Sequence, residues 1–269
     1  MPFVLPSDRP AIMGVLNVTP DSFSDGGQFS TLDVAVARGL EMVAQGADLV
    51  DVGGESTRPG AAPVSEEDET ARVLPVVEAL TKQGVSVSID TSKSNVANHC
   101  LDAGAVVVND VTALREPEMR DVCATSDCTV CLMHMQGEPR TMQESPHYDD
   151  VVSDVCDELL GFAERSGVAK ERIWLDPGIG FGKTLAHNLQ ILANLESFVE
   201  TGYPILVGVS RKSFIGKILG TEVDQRLEGT LAAQVIAQMK GARILRVHDV
   251  LEAKRASLVA QAIVEQERQ

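Results

Sequence analysis

The sequence predicts a (β/α)8 barrel, or TIM barrel, formed as a single domain by residues 1–269. Eight short apolar runs recur along the chain, and a helical pattern follows each of them. A doubly wound sheet is the structural alternative. The sequence shows no Pro/Ser-rich linker and no change of composition that would mark a second domain, so eight uninterrupted repeats favour the barrel.

The apolar runs are rich in Val, Ile and Leu and alternate only weakly with polar residues. This pattern is typical of parallel strands that are buried on both faces. The predicted strands lie at residues 11–16, 47–52, 85–89, 105–108, 129–133, 172–175, 205–209 and 242–247.

The helical patterns carry start and stop signals at several ends. Ser65 opens a capping-box-like sequence, and Gly46, Gly104 and Gly241 each precede the Ala that begins the next run, where a glycine suits a helix C-cap. The predicted helices lie at residues 33–45, 65–82, 94–103, 117–124, 149–166, 188–196, 227–239 and 251–265.

Composition narrows the class of partner. The chain is 44% hydrophobic and 23% charged, which is typical of a soluble globular protein. Its 39 acidic and 23 basic residues give a net charge of −16, which argues against a nucleic acid or an anionic membrane as partner. No run is long enough to span a membrane and the amino terminus does not resemble a signal peptide, so we expect a cytoplasmic protein.

The five cysteines are expected to be reduced thiols, since an odd number without a secretory signal does not suggest a disulfide framework. Cys128 and Cys131 have the spacing of a metal or redox pair. They fall on a predicted strand, however, where residues three apart point to opposite faces. Buried structural thiols are the favoured interpretation.

The active site of a TIM barrel lies at the carboxyl ends of its strands. Every predicted strand of this chain ends in a polar side chain, which favours a lined pocket over chance. These residues are Asn17, Asp51, Asp90, Asn109, His134, Asp176, Ser210 and Arg246.

Asp90, Asn109 and Asp176 follow directly where apolar strands stop, so they should lie deep in the pocket. A carboxylate accepts two parallel N–H donors, such as those of an aminopyrimidine ring. Each residue alone could instead cap a helix or satisfy local N–H groups. Three such groups converging on one mouth favour a bound ligand.

A second group is cationic or amide in character and should gather on the first, second, seventh and eighth loops. The seventh and eighth loops are the usual phosphate-binding corner of the fold, and Arg and protonated His bind oxyanions well. This clustering predicts a phosphate or pyrophosphate site. Its members are Asn17, Arg58, Lys212, Arg246 and His248.

Other chemistries fit the sequence less well. Residues 175–184 (LDPGIGFGKT) end like a P-loop, but Pro177 stands where the first glycine is needed and has no N–H to offer a phosphate. Lys183 and Thr184 are therefore expected to face solvent. We find no nucleophile-elbow motif and no zinc-ligand spacing. Lys212 could form a Schiff base, although a role as hydrogen-bond donor fits its position better.

Taken together, the motifs closely resemble those of bacterial dihydropteroate synthases, pterin-binding TIM-barrel enzymes. The resemblance extends from about residue 12 to residue 250. It rests on residues 13–27 (MGVLNVTPDSFSDGG), 51–60 (DVGGESTRPG), 89–92 (IDTS), 109–110 (ND), 131–136 (CLMHMQ), 175–182 (LDPGIGFG), 209–214 (VSRKSF) and 246–249 (RVHD).

The resemblance implies a transferase of folate biosynthesis. Such an enzyme joins 7,8-dihydropterin-6-ylmethyl pyrophosphate to 4-aminobenzoate in an SN1-like displacement and releases pyrophosphate. By resemblance, the pterin is held by Asp90, Asn109, Asp176, Lys212, Met133 and Gly208. The pyrophosphate is held by Asn17, Arg58, Arg246 and His248, with Mg²⁺ near Asn17.

The resemblance also implies that Thr57, Pro59, Phe181, Lys212 and Ser213 border the 4-aminobenzoate. The catalytic groups would be Asp90, Lys212, Arg246, His248 and Arg58. The loops 18–27 and 55–63 would close over the site. A homodimer, and sulfonamides as competing ligands, are further expectations.

Two rival interpretations remain open on sequence grounds. A pterin-binding methyltransferase domain would keep the Asp/Asn pocket without the cationic corner. A catalytically silent paralogue would bind pterin or support a partner protein. The intact cationic residues and loop motifs argue against both.

Overall fold

A computed structural model of the chain describes residues 1–19, 31–56, 63–138 and 141–267. Its centre is an eight-stranded sheet in which every pair of neighbouring strands is parallel. The strands are β1 (Ala11–Asn17), β2 (Leu49–Gly53), β3 (Val87–Asp90), β4 (Val107–Asp110), β5 (Thr129–Met133), β6 (Ile173–Asp176), β7 (Leu206–Val207) and β8 (Ile244–Val247).

The sheet closes on itself. Strand β1 pairs with both β2 and β8, and a bridge between Leu175 and Ile205 joins β6 to the entry of β7. Closure of this kind confirms the predicted barrel and excludes a doubly wound open sheet. It also brings the carboxyl ends of all eight strands to one mouth.

Helices cover the outside of the barrel. Those in the described residues are α1 (Thr31–Ala44), α2 (Glu66–Thr81), α3 (Ser94–Asp102), α4 (Pro117–Thr125), α5 (Val151–Arg165), α6 (Leu185–Ala193), α7 (Leu195–Val199), α8 (Ser213–Leu219), α9 (Leu227–Met239) and α10 (Val250–Glu267). All eight predicted helices are present, most of them within two residues of the predicted ends.

The sixth helical segment differs most from its prediction. Thr184 caps α6 by accepting a hydrogen bond from the His187 N–H at 3.1 Å, so the helix starts at Leu185 rather than near residue 188. Asn194, with φ −120° and ψ 34°, separates α6 from the short α7. The seven-residue α8 was not among the predicted helical runs, because so short a segment shows little periodicity.

The predicted helix signals are confirmed where the structure describes them. The Ser65 hydroxyl accepts a hydrogen bond from the Asp68 N–H at 3.1 Å. Gly46, Gly104 and Gly241 have φ values of 104°, 101° and 97°, a conformation that glycine adopts without strain. Each allows the chain to leave a helix and enter the following strand.

Apolar side chains pack in two layers. One layer lies between the strands and the helices, and the other fills the barrel. Inside the barrel Met13, Leu49 and Trp174 are buried, and Phe3 packs edge-on against Trp174 with ring centroids 5.8 Å apart. This packing fills the amino-terminal half of the barrel and leaves the opposite mouth to polar side chains.

The cysteines follow the prediction of structural thiols. All five are free, four are buried and Cys156 is partly buried. Cys128 packs in the outer layer and Cys131 inside the barrel, as expected of strand residues that point to opposite faces. Among the described residues, no helix is both long and apolar enough to cross a membrane.

Candidate active site

The mouth of the barrel is lined by the inward-pointing residues at the strand ends. Alternation along each strand selects them: on β4, Val107 packs inside the barrel, Val108 outside, and Asn109 faces inward again. Asp110 is buried on the outer side, where its carboxylate accepts hydrogen bonds from the N–H groups of Thr112 and Leu114. Of the predicted Asn109–Asp110 pair, only Asn109 therefore belongs to the mouth.

Arg246 on β8 forms hydrogen bonds with carboxylates on two other strands at the mouth. Its Nε donates to Asp51 Oδ2 and its Nη2 to Asp90 Oδ2, each at 2.6 Å. Asn109 Nδ2 donates to the same oxygen of Asp51 at 3.2 Å. The structure thus joins two groups that the sequence predicts separately, the deep carboxylates and the cationic corner.

Asp51 was not assigned a role from the sequence, although it ends a predicted strand. It is fully buried, and its Oδ1 atom has no hydrogen-bond partner among the described atoms. A sequence signal for this role exists, because Asp51 is a carboxylate at an inward position of the apolar strand 49–53. Burying such a group costs several kcal/mol unless it is paired, so a cationic partner could have been predicted. By accepting the hydrogen bond from Arg246, Asp51 holds that guanidinium in position.

Desolvation dominates the protonation behaviour of the carboxyl groups. Burial raises the pKa of Asp90 to about 7, with Asp51 adding to the rise and Arg246 opposing it. Burial also raises the pKa of Asp176, which Lys212 and Arg246 oppose. Burial disfavours the charge of Arg246, but Asp51 and Asp90 outweigh it and raise the pKa of Arg246 above its usual value. Arg246 therefore stays charged while Asp90 titrates near neutrality.

Lys212 and Phe181 form one side of the mouth. Lys212 Nζ donates to the carbonyl oxygen of Ile179 and lies 4.3 Å from the centroid of the Phe181 ring. Burial lowers the pKa of Lys212 to about 8, opposed by Asp176. A lysine held in this way, at the N-cap of α8, is suited to donate a hydrogen bond into the pocket.

The remaining described candidates surround these groups. Met133 is buried in a small apolar cluster with Val111, Met135 and Met142, against which Phe181 packs. Gly208 is buried, and a Cβ added to it would lie 3.8 Å from the Cβ of Arg246, so it leaves room beside that side chain. Ser213 is the exposed first residue of α8.

Two predicted anion-binding residues lie at the rim. Asn17 is the last residue of β1 and is partly exposed. His248 follows β8, and its Nδ1 lies 3.0 Å from Ser210 Oγ, which also accepts a hydrogen bond from the His248 N–H at 3.2 Å. Thr57, Arg58 and Pro59 lie outside the described residues, as do parts of the two loops expected to close over the site.

The segment after β6 is confirmed not to be a phosphate cradle. Its N–H groups are committed within the protein: Gly178 N donates to Asp176 Oδ1 at 2.7 Å, and Gly180 N to Asn188 Oδ1 at 2.6 Å. The glycines make room for the chain itself. A Cβ on Gly178 would lie 1.8 Å from the carbonyl oxygen of His134.

The prediction that Lys183 faces solvent is wrong, whereas the prediction for Thr184 is confirmed. Lys183 is 3% exposed and lies beneath the loop, because the left-handed turns at Gly180 and Gly182 direct its side chain back toward β5. His134, at the end of β5, contacts Lys183 and the α5 residue Glu158 instead of lining the mouth.

The fold and this mouth define a class of protein. A family model described as "Pterin binding enzyme" matches residues 13–248, and the chain belongs to that family. Dihydropteroate synthase of Escherichia coli (strain K12) is 51% identical to it over 258 residues, which cover 94% of this chain and 92% of that protein.

Solved structures agree with the sequence comparison. The Yersinia pestis dihydropteroate synthase in a sulfonamide drug complex has a TM-score of 0.91 and 49% identity, and the match covers 96% of this chain and 95% of that one. The Xanthomonas albilineans enzyme gives TM-scores of 0.90 with 4-aminobenzoic acid and 0.88 with 7,8-dihydropteroate, at 48% and 45% identity. These matches cover 96% and 97% of this chain, and 94% and 95% of the respective solved chains.

Within the pterin-binding enzymes, the chain falls among the dihydropteroate synthases. It is a transferase that makes dihydropteroate for folate synthesis. The prediction made from the sequence motifs is confirmed at this level. A pterin-binding methyltransferase domain is correspondingly disfavoured.

Proposed function

We propose that this chain condenses 7,8-dihydropterin-6-ylmethyl pyrophosphate with 4-aminobenzoate in an SN1-like displacement that releases pyrophosphate. The observation that carries the proposal is the position of Arg246, which links the buried Asp51 and the partly buried Asp90 at the mouth of the barrel. A single cation there can neutralise the site that receives the pterin and can also face a departing anion.

The pterin pocket consists of groups that match an aminopyrimidine edge. Asp90 and Asp176 supply carboxylates that accept paired N–H donors, and Asn109 supplies an amide. Lys212 donates from the opposite side, while Met133 and Gly208 provide an apolar wall and space. As the methylene–oxygen bond breaks, positive charge spreads into the pterin ring. Ionised Asp90 stabilises that charge.

The pyrophosphate leaves toward the rim of β1 and β8. His248 and Arg246 can donate to its oxygens, with Asn17 and Arg58 completing the corner. The electron pair of the breaking bond stays on the pyrophosphate oxygen, and the developing negative charge is stabilised by these donors.

Mg²⁺ is the metal that this corner would accept. The described residues contain no group of three or more His, Cys, Asp or Glu side chains arranged to hold a metal ion. The amide oxygen of Asn17 is nevertheless a hard oxygen ligand, and Mg²⁺ commonly combines one or two protein oxygens with water and substrate phosphates. When bound, it would neutralise charge on the leaving pyrophosphate.

The 4-aminobenzoate lies, in this proposal, between Phe181 and the start of α8, bordered by Thr57, Pro59, Lys212 and Ser213. Its neutral amine needs no strong base to attack the pterinyl methylene cation, and it loses a proton after the C–N bond forms. The structures of relatives with 4-aminobenzoic acid and with a sulfonamide drug support this substrate, and sulfonamides as competing ligands.

We also infer a cytoplasmic homodimer. The homodimer is supported by an apolar groove of about 510 Å³ between α9 and α10, whose lining includes Leu231, Val235, Val259 and Ile263. Val259 and Ile263 are 64% and 57% exposed in the single chain, and large apolar groups left in water favour association.

A pyrophosphate-release assay tests the proposed reaction. Purified protein with Mg²⁺ and the dihydropterin pyrophosphate should form dihydropteroate only when 4-aminobenzoate is present. Asp90→Asn should lower kcat by about a hundredfold or more because it removes the charge facing the cation. Arg246→Met should raise KM for the pyrophosphate substrate and also lower kcat, because it removes a donor to the leaving group and raises the pKa of Asp90.

The exposed Lys217 on α8 provides a control, and Lys217→Met should behave as wild type. If no aminobenzoate-dependent product forms, the chain is a catalytically silent paralogue and the proposed reaction is wrong. If Arg246→Met keeps wild-type KM and kcat, the assignment of the anion corner is wrong.

A further inference from the structure

A buried ammonium group lies beneath the loop that connects β6 to α6. Lys183 is 3% exposed, and its Nζ lies 2.9 Å from His134 Nδ1 and 3.0 Å from the carbonyl oxygen of Phe181. The carbonyl oxygen of His134 lies 3.5 Å away. Lys183 therefore links the end of β5 to the loop residues 178–182, and the proposed mechanism assigns it no task.

The contacts of this cluster link the protonation states of Lys183 and His134. When Lys183 is charged, it donates to His134 Nδ1 and to Phe181 O, and the imidazole is then neutral with its proton on Nε2. That nitrogen faces Glu158 Oε2 at 3.4 Å, on the outer face of α5. The arrangement connects Lys183 through one imidazole to a carboxylate that is 52% exposed.

Burial disfavours the charged form of Lys183. Burial lowers the pKa of Lys183 to about 7, with Lys212 lowering it further, while Asp176 and Glu158 raise it. Burial likewise lowers the pKa of His134, which Glu158 opposes. A methionine-like side chain would fill the same space without this penalty. The Lys183 amine therefore titrates near neutral pH, and in either protonation state it can donate a hydrogen bond to Phe181 O.

The other side of the loop carries two contacts of the active site. Ile179 O accepts the hydrogen bond of Lys212, and the Phe181 ring lies against the Lys212 ammonium. The carbonyl of Phe181, which fixes the peptide next to that ring, is the one that Lys183 holds from below. Lys183 thus contacts the underside of the wall formed by Phe181 and Lys212.

We propose that Lys183 is a positioning residue for the aryl-amine substrate. Through Phe181 O and His134 it fixes loop 178–182, and so sets the height of the Phe181 ring over the pocket. The inference rests on the proposed placement of 4-aminobenzoate against Phe181. Lys183 acts through these two residues and does not itself touch the substrate.

Steady-state kinetics of Lys183→Met test the inference, since this variant keeps the apolar stem and removes the ammonium. We expect KM for 4-aminobenzoate to rise about tenfold, because a displacement of about 1 Å is enough to misplace a reacting group. KM for the dihydropterin pyrophosphate should change less than about twofold, since Lys212 and Arg246 influence Asp176 more strongly than Lys183 does. Lys217→Met is the matched control.

A double-mutant cycle with Phe181→Leu separates this role from general stability. If Lys183 acts through Phe181, the double variant should raise KM for 4-aminobenzoate by less than the product of the two single changes. Loss of active protein alone would lower apparent kcat and leave KM unchanged. Multiplicative effects, or an unchanged KM in Lys183→Met, overturn the inference.

The same data distinguish the inference from the proposed pocket. If Phe181→Leu raises KM for 4-aminobenzoate and Lys183→Met does not, the pocket stands and the role of Lys183 is refuted. If neither variant changes that KM, the pocket assignment fails as well. Should Lys183→Met fold poorly, Glu158→Ala removes the exposed carboxylate, and it should raise the same KM about twofold to threefold. An unchanged KM in Glu158→Ala then overturns the inference.

Discussion

The Asp90 carboxyl group is partly buried and shares a hydrogen bond with the partly buried guanidinium of Arg246. Its Oδ2 accepts from Arg246 Nη2 at 2.6 Å, and Arg246 also binds Asp51. Removing one partner from such a set leaves an uncompensated charge, which costs about 3–5 kcal/mol. The ion pairs therefore keep Asp90 partly ionised at neutral pH, in spite of the desolvation that raises its pKa to about 7.

This environment predicts a pH dependence of pterin binding, with an acidic limb in which affinity decreases as the pH falls. Above pH 7 ionised Asp90 accepts the N–H donors of the pterin, and protonation removes that capacity. Affinity should fall by about tenfold per pH unit once the pH drops below about 7. Calorimetric titration with 6-hydroxymethyl-dihydropterin measures this limb without a titrating phosphate on the ligand.

Arg246→Met identifies the group responsible. It removes the cation that lowers the pKa of Asp90, so the limb should move to higher pH. Lys217→Met should leave the limb in place. A limb near the ordinary aspartate pKa of about 4, or one that Arg246→Met does not move, would contradict the assignment.

At the scale of elements, the connection between β6 and α6 shows how tightly the mouth is assembled. Gly178, Gly180 and Gly182 have φ values of 68°, 86° and 58°. A Cβ on Gly182 would lie 2.6 Å from Gln136 O, and one on Gly180 would lie 2.9 Å from Lys212 Cδ. The loop packs against the end of β5 on one side and Lys212 on the other, and only glycine permits both contacts.

Gly178→Ala should be strongly destabilising. Its Cβ would meet the His134 carbonyl oxygen at 1.8 Å, which forces the backbone apart in addition to the strain of a left-handed alanine. We expect a loss of about 3 kcal/mol or more in the free energy of unfolding, measured by chemical denaturation.

Gly84→Ala isolates the contribution of the backbone angle. Gly84 has a similar φ of 78°, but a Cβ there meets nothing within 4 Å. Gly84→Ala should therefore lower the free energy of unfolding by only about 1–2 kcal/mol. If the two variants lose equal stability, close approach to β5 is not what requires glycine at position 178.

At the scale of the whole molecule, an acidic protein carries a mouth that contains Arg246, Lys212 and His248. The net charge of −16 keeps nonspecific anions away, so binding of an anionic substrate depends on these few cations. The apolar groove on α9 and α10 lies on the outside of the barrel and is the surface that the proposed dimer would cover.

A charge placed in that groove should separate the proposed dimer. Val259→Glu should convert the protein to a monomer in sedimentation or light-scattering measurements, because covering the groove would require a carboxylate to lose its hydration. Ile218→Glu is the control, since Ile218 is 55% exposed on α8, outside the groove. A wild-type monomer, or a dimer unaffected by Val259→Glu, would refute the proposal.

The sequence alone determined the barrel, the order of its elements and the residues at the strand ends. The hydrophobic period and the Val, Ile and Leu content of buried strands are local properties that can be read from the sequence. In a barrel of parallel strands, the carboxyl ends of all strands meet at one mouth. For the same reason the positions of Asp90, Asn109, Asp176 and Arg246 at that mouth follow from the sequence pattern.

Only the tertiary structure decided which of these groups pair. The link from Arg246 to Asp51 and Asp90 joins residues 195 and 156 positions apart in the chain, and no local pattern encodes such a contact. Lys183 shows the same limit. A lysine after a glycine-rich turn is usually solvated, but the left-handed turns and the polar atoms of β5 create a buried place for this one. Its burial depends on the position of His134 and Phe181 O, which folding alone brings together.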